Sequence, residues 1–160
     1  MVMGTSADLL RRLDALESEG AIRRLMSEYQ EARDFGTGNG ASIANLFTAD
    51  GIWEGVGQVA KALGSHQGRE AIERRFSATF PFSVHFLTNE SIIVDGDTAG
   101  GTWRYLQTTV YKGQAVWIAG RYRNDFVRVQ GQWKFRHVRI DGIFVTPYED
   151  GWVKTPFLSS

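Results

Sequence analysis

Apolar side chains recur at three- and four-residue spacing through the first third of the chain, which is the signature of helix. Leu9, Leu10, Leu13 and Leu16 form the first run, with Ser6 as its expected N-cap and Gly20 as an expected bend. Ile22, Leu25, Met26, Tyr29, Ala32 and Arg33 continue along one stripe. Phe35-Gly36-Thr37-Gly38-Asn39-Gly40 stops the pattern, with Gly36 suited to a left-handed C-cap. A short helix from Ala41 to Phe47, a strand around Gly51 to Val56 and a helix from Gly68 to about Ala78 are predicted next.

From Ser83 onward the pattern is that of strands, rich in β-branched and aromatic residues. Four strands are predicted: Val84 to Val94, Thr98 to Tyr111, Ala115 to Val129 and Gln132 to Val145. They are separated by turns at Asp95-Gly96-Asp97, Lys112-Gly113 and Gln130-Gly131. Long strands joined by tight turns predict an antiparallel meander, and helices before strands predict an α+β fold. Residues 1–160 read as a single domain. A sheet of this length must twist and curl, with Gly100, Gly101 and Gly120 as expected bends. Helices packed in its concave face would leave a pocket closed at one end.

Composition narrows the partners. Eighteen Lys and Arg balance eighteen Asp and Glu, so the basic excess that phosphate binding requires is missing, and neither nucleic acid nor an anionic membrane surface is expected. With no cysteine, disulfides, thiolate nucleophiles and cysteine-based zinc sites are excluded. No apolar run is long enough to span a bilayer, and Met1 to Asp8 lacks the order of a signal peptide. A cytoplasmic location is therefore expected.

Two residues stand out as candidate chemistry. Asp34 falls in the last turn of a predicted helix, where the macrodipole disfavours a carboxylate by up to about 1 kcal/mol. It reads either as a solvated loop-capping residue or as a carboxylate that orients a neighbouring base. His85 lies at an apolar strand start, on one face with Leu87 and Asn89 by alternation. It reads either as a hydrogen-bonded core residue or as a proton acceptor, since histidine titrates near neutral pH. His66 falls in a predicted loop and His137 in the last strand, and the three histidines have no metal-ligand spacing. Tyr29 precedes Asp34 by five residues, roughly 140° around an ideal helix. Arg33, Arg104, Arg121, Arg123 and Arg139 are candidates for a substrate anion or a developing oxyanion. Arg139 is favoured because it is in phase with Trp133 and Phe135. Trp53, Trp103, Trp117, Trp133, Phe86 and Tyr105 predict an aromatic interior suited to a flat ring, or simply a packed core. No dinucleotide, phosphate-loop or serine-elbow motif is present, so no nucleotide cofactor is expected.

These blocks resemble the SnoaL-like, scytalone dehydratase-like branch of the nuclear transport factor 2-like superfamily. The likeness runs from Ala21-Ile22-Arg23-Arg24-Leu25 through Leu46-Phe47-Thr48-Ala49-Asp50-Gly51-Ile52-Trp53 and Gly68-Arg69-Glu70-Ala71-Ile72. It continues in His85-Phe86-Leu87-Thr88-Asn89, Gly120-Arg121-Tyr122-Arg123-Asn124-Asp125 and Gly131-Gln132-Trp133-Lys134-Phe135. The resemblance implies a cone-shaped α+β barrel, with N-terminal helices packed in a curved antiparallel sheet. It also implies a homo-oligomer, trimer or dimer, and an acid–base pair made of Asp34 and His85. Tyr29 looks like a tyrosine found in bile-acid dehydratases of this group. Trp103, Arg104 and Tyr105 stand where a second active-site histidine would be needed for scytalone, which argues against that substrate.

Together these readings predict a lyase without metal or organic cofactor, acting on a small hydroxylated aromatic, polycyclic or steroid-like substrate. Asp34, His85 and Tyr29 are its expected catalytic residues, and Arg139, Arg121, Trp53, Asn89, Tyr105 and Phe86 its expected substrate contacts. Cleavage of a C–C bond with release of formaldehyde from a lignin-derived diaryl compound, or isomerisation, would use the same site. A non-catalytic binder of an aromatic or steroid-like ligand is the rival from another class, and it expects Asp34 and His85 not to touch.

Overall fold

The computed structural model describes residues 5–34, 40–78 and 82–158. The first helix, α1, runs from Ser6 to Arg33 through Gly20 as one element. Its N-cap is Thr5, one residue before the expected Ser6, and the Thr5 hydroxyl accepts from the Asp8 backbone N–H at 3.3 Å. Burial begins only at Ser18. Ile22, Leu25, Met26 and Tyr29 are buried, whereas Leu9, Leu10, Leu13 and Leu16 stay between 51% and 66% exposed. The first apolar run is thus helical as predicted but does not enter the core. Where the two halves meet, Asp14 and Ser18 hold the guanidinium of Arg128 from the sheet. The expected stop and the Gly36 cap lie outside the described residues.

Helix α2 (Gly40–Asn45) packs on α4 (Arg69–Phe76) so closely that a Cβ at Gly40 would stand 2.3 Å from the Glu73 carbonyl oxygen. Between them lie β1 (Phe47–Val56), a 3-10 turn (Gly57–Val59), α3 (Ala60–Leu63) and β2 (Ser65–Gln67). Strand β1 starts at Phe47 rather than near Gly51, because the fully buried Phe47 ring docks against Phe135, its partner in the sheet. His66, expected in a loop, lies on β2.

Strands β3 (Ser83–Asp95), β4 (Thr98–Tyr111), β5 (Gln114–Val129) and β6 (Gln132–Pro147) form the predicted antiparallel meander. A short helix, α5 (Gly151–Lys154), follows. The six-stranded sheet has the order β2-β1-β6-β5-β4-β3. It is not wholly antiparallel, since β1 runs parallel to β6. Lys112 and Gly113, like Gln130 and Gly131, all have positive φ, the geometry of two-residue turns that match the strand twist. Gly101 and Gly120 allow close approach, since a Cβ there would meet the Trp103 ring at 2.6 Å and the Tyr105 ring at 2.4 Å, and the β5–β6 ladder shifts register at the expected bend between Ala119 and Gly120.

The helical stripe packs into one face of the curved sheet. Tyr29 sits at the centre of an aromatic cluster, with Phe135, Phe47, Tyr122 and Phe76 at ring-centroid distances of 5.3 to 6.4 Å. The candidate site borders this core, since Ile43, Trp53, Phe76 and Tyr105 belong to the core and also line the cavity.

Candidate active site

Asp34 is the C-cap of α1, and its backbone N–H donates to the Gln30 carbonyl. Its side chain reaches the start of β3, fifty-one residues on. The His85 backbone N–H donates to Asp34 Oδ2 at 3.1 Å, and His85 Nδ1 lies 2.6 Å from Asp34 Oδ1. A carboxylate only accepts, so Nδ1 carries the proton and Nε2 presents a lone pair. Nε2 is buried and makes no hydrogen bond of good geometry, with the Gln107 side chain the polar group close to the ring. Burial and the neighbouring Arg33 charge bring the imidazole pKa down to about 4, against the opposing pull of Asp34. The ring is therefore neutral at neutral pH.

His85 opens onto a cavity of about 380 Å³, walled largely by Ile43, Trp53, Val59, Leu63, Phe76, Val116 and Ile118. Its polar wall includes Arg33, Arg75, Ser83, Tyr105 and Gln107. Tyr105 lies beside His85, with ring centroids 6.3 Å apart, and burial raises its phenol pKa, so it remains a donor. Gln107 faces His85 across the β3–β4 pair and donates from Nε2 to Ser83 Oγ at 2.8 Å. Phe157 and Leu158, from the C-terminal segment held along β6, close one side. No group of three or more His, Asp or Glu among the described residues is arranged to hold a metal ion.

The SnoaL-like domain family matches residues 14–139. The chain belongs to the SnoaL-like family. Solved structures agree on the fold. The type 3 hexachlorocyclohexane dehydrochlorinase LinA of Novosphingobium barchaimii is 22% identical, with TM-score 0.74, over 93% of this chain and 99% of that one. A type 2 LinA dehydrochlorinase is 26% identical, with TM-score 0.72, over 85% and 92% of the two chains. A candidate scytalone dehydratase of Novosphingobium aromaticivorans is 24% identical, with TM-score 0.71, over 83% and 89%. A search of curated proteins finds no match. No helix among the described residues is long and apolar enough to cross a membrane.

Within this SnoaL-like frame the expected site residues divide. His85, Trp53 and Tyr105 line the cavity, and Asp34 is joined to it through its hydrogen bond to His85. Tyr29 does not line it: its hydroxyl, behind the wall, accepts from Trp53 Nε1 at 2.6 Å. Phe86 is 55% exposed, because alternation sends it to the opposite face from His85. Asn89 adopts φ 53 at an irregularity between Thr88 and Ser91, which breaks its phase with His85, and it too is exposed. Arg121 is exposed on the outer face. Arg139 is also turned away, because a register shift beside Phe135 places Val138 and Ile140 inward. It donates to Asp125 Oδ2 and contacts His137 Nδ1, each at 2.8 Å, while His137 Nε2 pairs with Glu54 at 2.7 Å. Trp117 is half-buried and stacks on Tyr148.

Of the five candidate arginines, only Arg33 reaches the cavity. Its place on the Tyr29 stripe was the available signal. Gln107 was not singled out, although it shares a strand face with Tyr105. Nothing in the pattern pointed to Phe157 or Leu158.

Proposed function

We propose that this protein is a lyase that needs no metal or organic cofactor, with His85 as general base and Asp34 as its orienting partner. The observation that carries this reading is a buried, neutral imidazole that lines the cavity and whose Nδ1 is fixed by Asp34. Nε2 takes a proton from a carbon next to a carbonyl or aromatic ring. The C–H electron pair forms the new double bond while the neighbouring carbon–oxygen bond breaks. The imidazolium then returns the proton to the departing hydroxyl, so water leaves and His85 is neutral again. Asp34 stabilises the imidazolium, and its attraction is strongest when that charge exists. Tyr105 takes the role expected of Tyr29, donating to the substrate oxygen on which charge grows.

The dehydrochlorinase named among the structural neighbours supports elimination as the reaction class. The apolar walls and the cavity volume support a small hydroxylated aromatic or polycyclic substrate. Exposed Leu9, Leu10, Leu13, Phe86 and Ile93 support assembly as a homo-oligomer.

A panel of hydroxylated aromatic and polycyclic compounds, followed by mass spectrometry, tests the reading. A product lighter by one water is expected, and His85→Ala should lower kcat by about 10²- to 10⁴-fold. Loss of a small aldehyde, an unchanged mass, or full turnover by the variant would overturn it.

A further inference from the structure

Arg33 presents a full positive charge to an otherwise largely apolar cavity. It occupies the last turn of α1, where a cation suits the helix dipole. Its guanidinium lies over the faces of Tyr29, 5.1 Å from the ring centroid, and Phe76, at 5.6 Å. Nη1 donates to the Tyr122 hydroxyl at 2.6 Å. A guanidinium has five N–H donors in a planar fork, and phenols supply no formal counter-charge. Every ion pair among the described residues involves other cations, and Asp34 spends both carboxylate oxygens on His85.

The cavity wall has the same bias. Among the described residues it includes two arginines and no aspartate or glutamate. The second, Arg75, stacks on Trp53 and also borders the Phe76 ring, at 5.2 and 5.6 Å. Both guanidinium groups border the Phe76 ring, so two like charges stand near each other, and burial together with the Arg33 charge lowers the Arg75 pKa. A bound anion at Arg33 would be attracted by both charges. A neutral carbonyl would need only the Tyr105 and Gln107 side chains, and it would leave the Arg33 charge uncompensated.

We infer that the substrate is an apolar, largely aromatic molecule carrying one carboxylate, and that Arg33 holds this group as a fork while the body lies along the apolar wall toward His85. The inference rests on the cavity being the substrate site of the lyase reading, and it adds the charge of the substrate. Arg33 and His85 both line this one cavity, which places them within reach of one small molecule. The acid is a handle, and the proton that His85 removes belongs to another carbon of the same molecule.

Titration calorimetry of the full chain with 2-naphthoate and with its neutral counterpart 2-naphthamide tests this without requiring turnover. Naphthoate should bind roughly ten- to a hundredfold more tightly, the difference expected of a charge-assisted fork. Arg33→Met should remove the preference and leave naphthamide binding in place, whereas Arg33→Lys should keep part of it. Arg104→Met, on the exposed face, should leave it intact. His85→Ala should also keep the preference, so failure of the lyase chemistry and failure of this inference are distinguishable. Equal affinity for the two probes, binding of neither, or a preference that survives Arg33→Met overturns the inference. If Arg33→Met does not fold, the wild-type comparison and Arg33→Lys decide.

Discussion

At Asp34 two physical tendencies oppose each other. A carboxylate at a helix C-terminus works against the dipole, at a cost of up to about 1 kcal/mol. Two hydrogen bonds to His85, one from the backbone and one from the ring, offset that cost and hold the strand start to the helix end. The odd placement of Asp34 was legible in the chain, but its partner was not, since nothing local joins residues so far apart. His85 also carries a pH signature. Its folded-state pKa of about 4 lies below the ordinary 6.5, so below 6.5 the unfolded chain binds the proton that the folded ring resists. The stability contributed by His85 is complete above about pH 6.5 and falls away as the pH drops toward 4. The catalytic base should follow the same group: kcat/KM is expected to rise through about pH 4 and to have levelled by neutral pH. A rise centred near 6.5 would contradict the burial-lowered pKa of His85, and its loss in His85→Ala would separate an unshifted His85 from another base.

Elements with a strong periodic signal were read well, and two of the misplaced side chains lie where a single residue resets the phase. Strand β4 has the predicted bounds, and the turns at Lys112-Gly113 and Gln130-Gly131 fall where Gly marks them. Asn89 and Arg139 were misassigned for one reason: an irregularity in the ladder inverts the inward and outward faces beyond it, and alternation does not announce it. The leucines of residues 9–16 show the converse. Periodicity reports a helix, but whether another element covers that helix is decided elsewhere. At Gln130, a residue with a full side chain adopts φ 51, a left-handed conformation that costs roughly 1–2 kcal/mol. Asn tolerates it better, so Gln130→Asn should raise the melting temperature by about 2 °C or more. An unchanged or lower value in thermal unfolding would contradict this account of the turn.

Across the whole molecule, the site depends on segments distant in sequence. The end of α1 supplies Arg33 and Asp34, β3 and β4 supply His85, Tyr105 and Gln107, and the C-terminal segment supplies Phe157 and Leu158. The helix-then-meander order was readable because each element buries a continuous face. The parallel β1–β6 pair was not, because it joins the first strand to the last and no turn records it. Tyr29 was expected at the reacting centre and instead anchors the wall behind it, bonding Trp53 and supporting Arg33 from below. The family pattern marked a position there, and packing decided which tyrosine faces the cavity.

The central claim is that Asp34 and His85 act as one acid–base unit, and a double-mutant cycle in kcat tests it most directly. With the converted substrate in hand, Asp34→Asn and His85→Ala are each expected to lower kcat by about 10²- to 10⁴-fold, and the double variant should be no slower than the worse single one. Multiplying losses, or an Asp34→Asn enzyme with unchanged kcat, would contradict it.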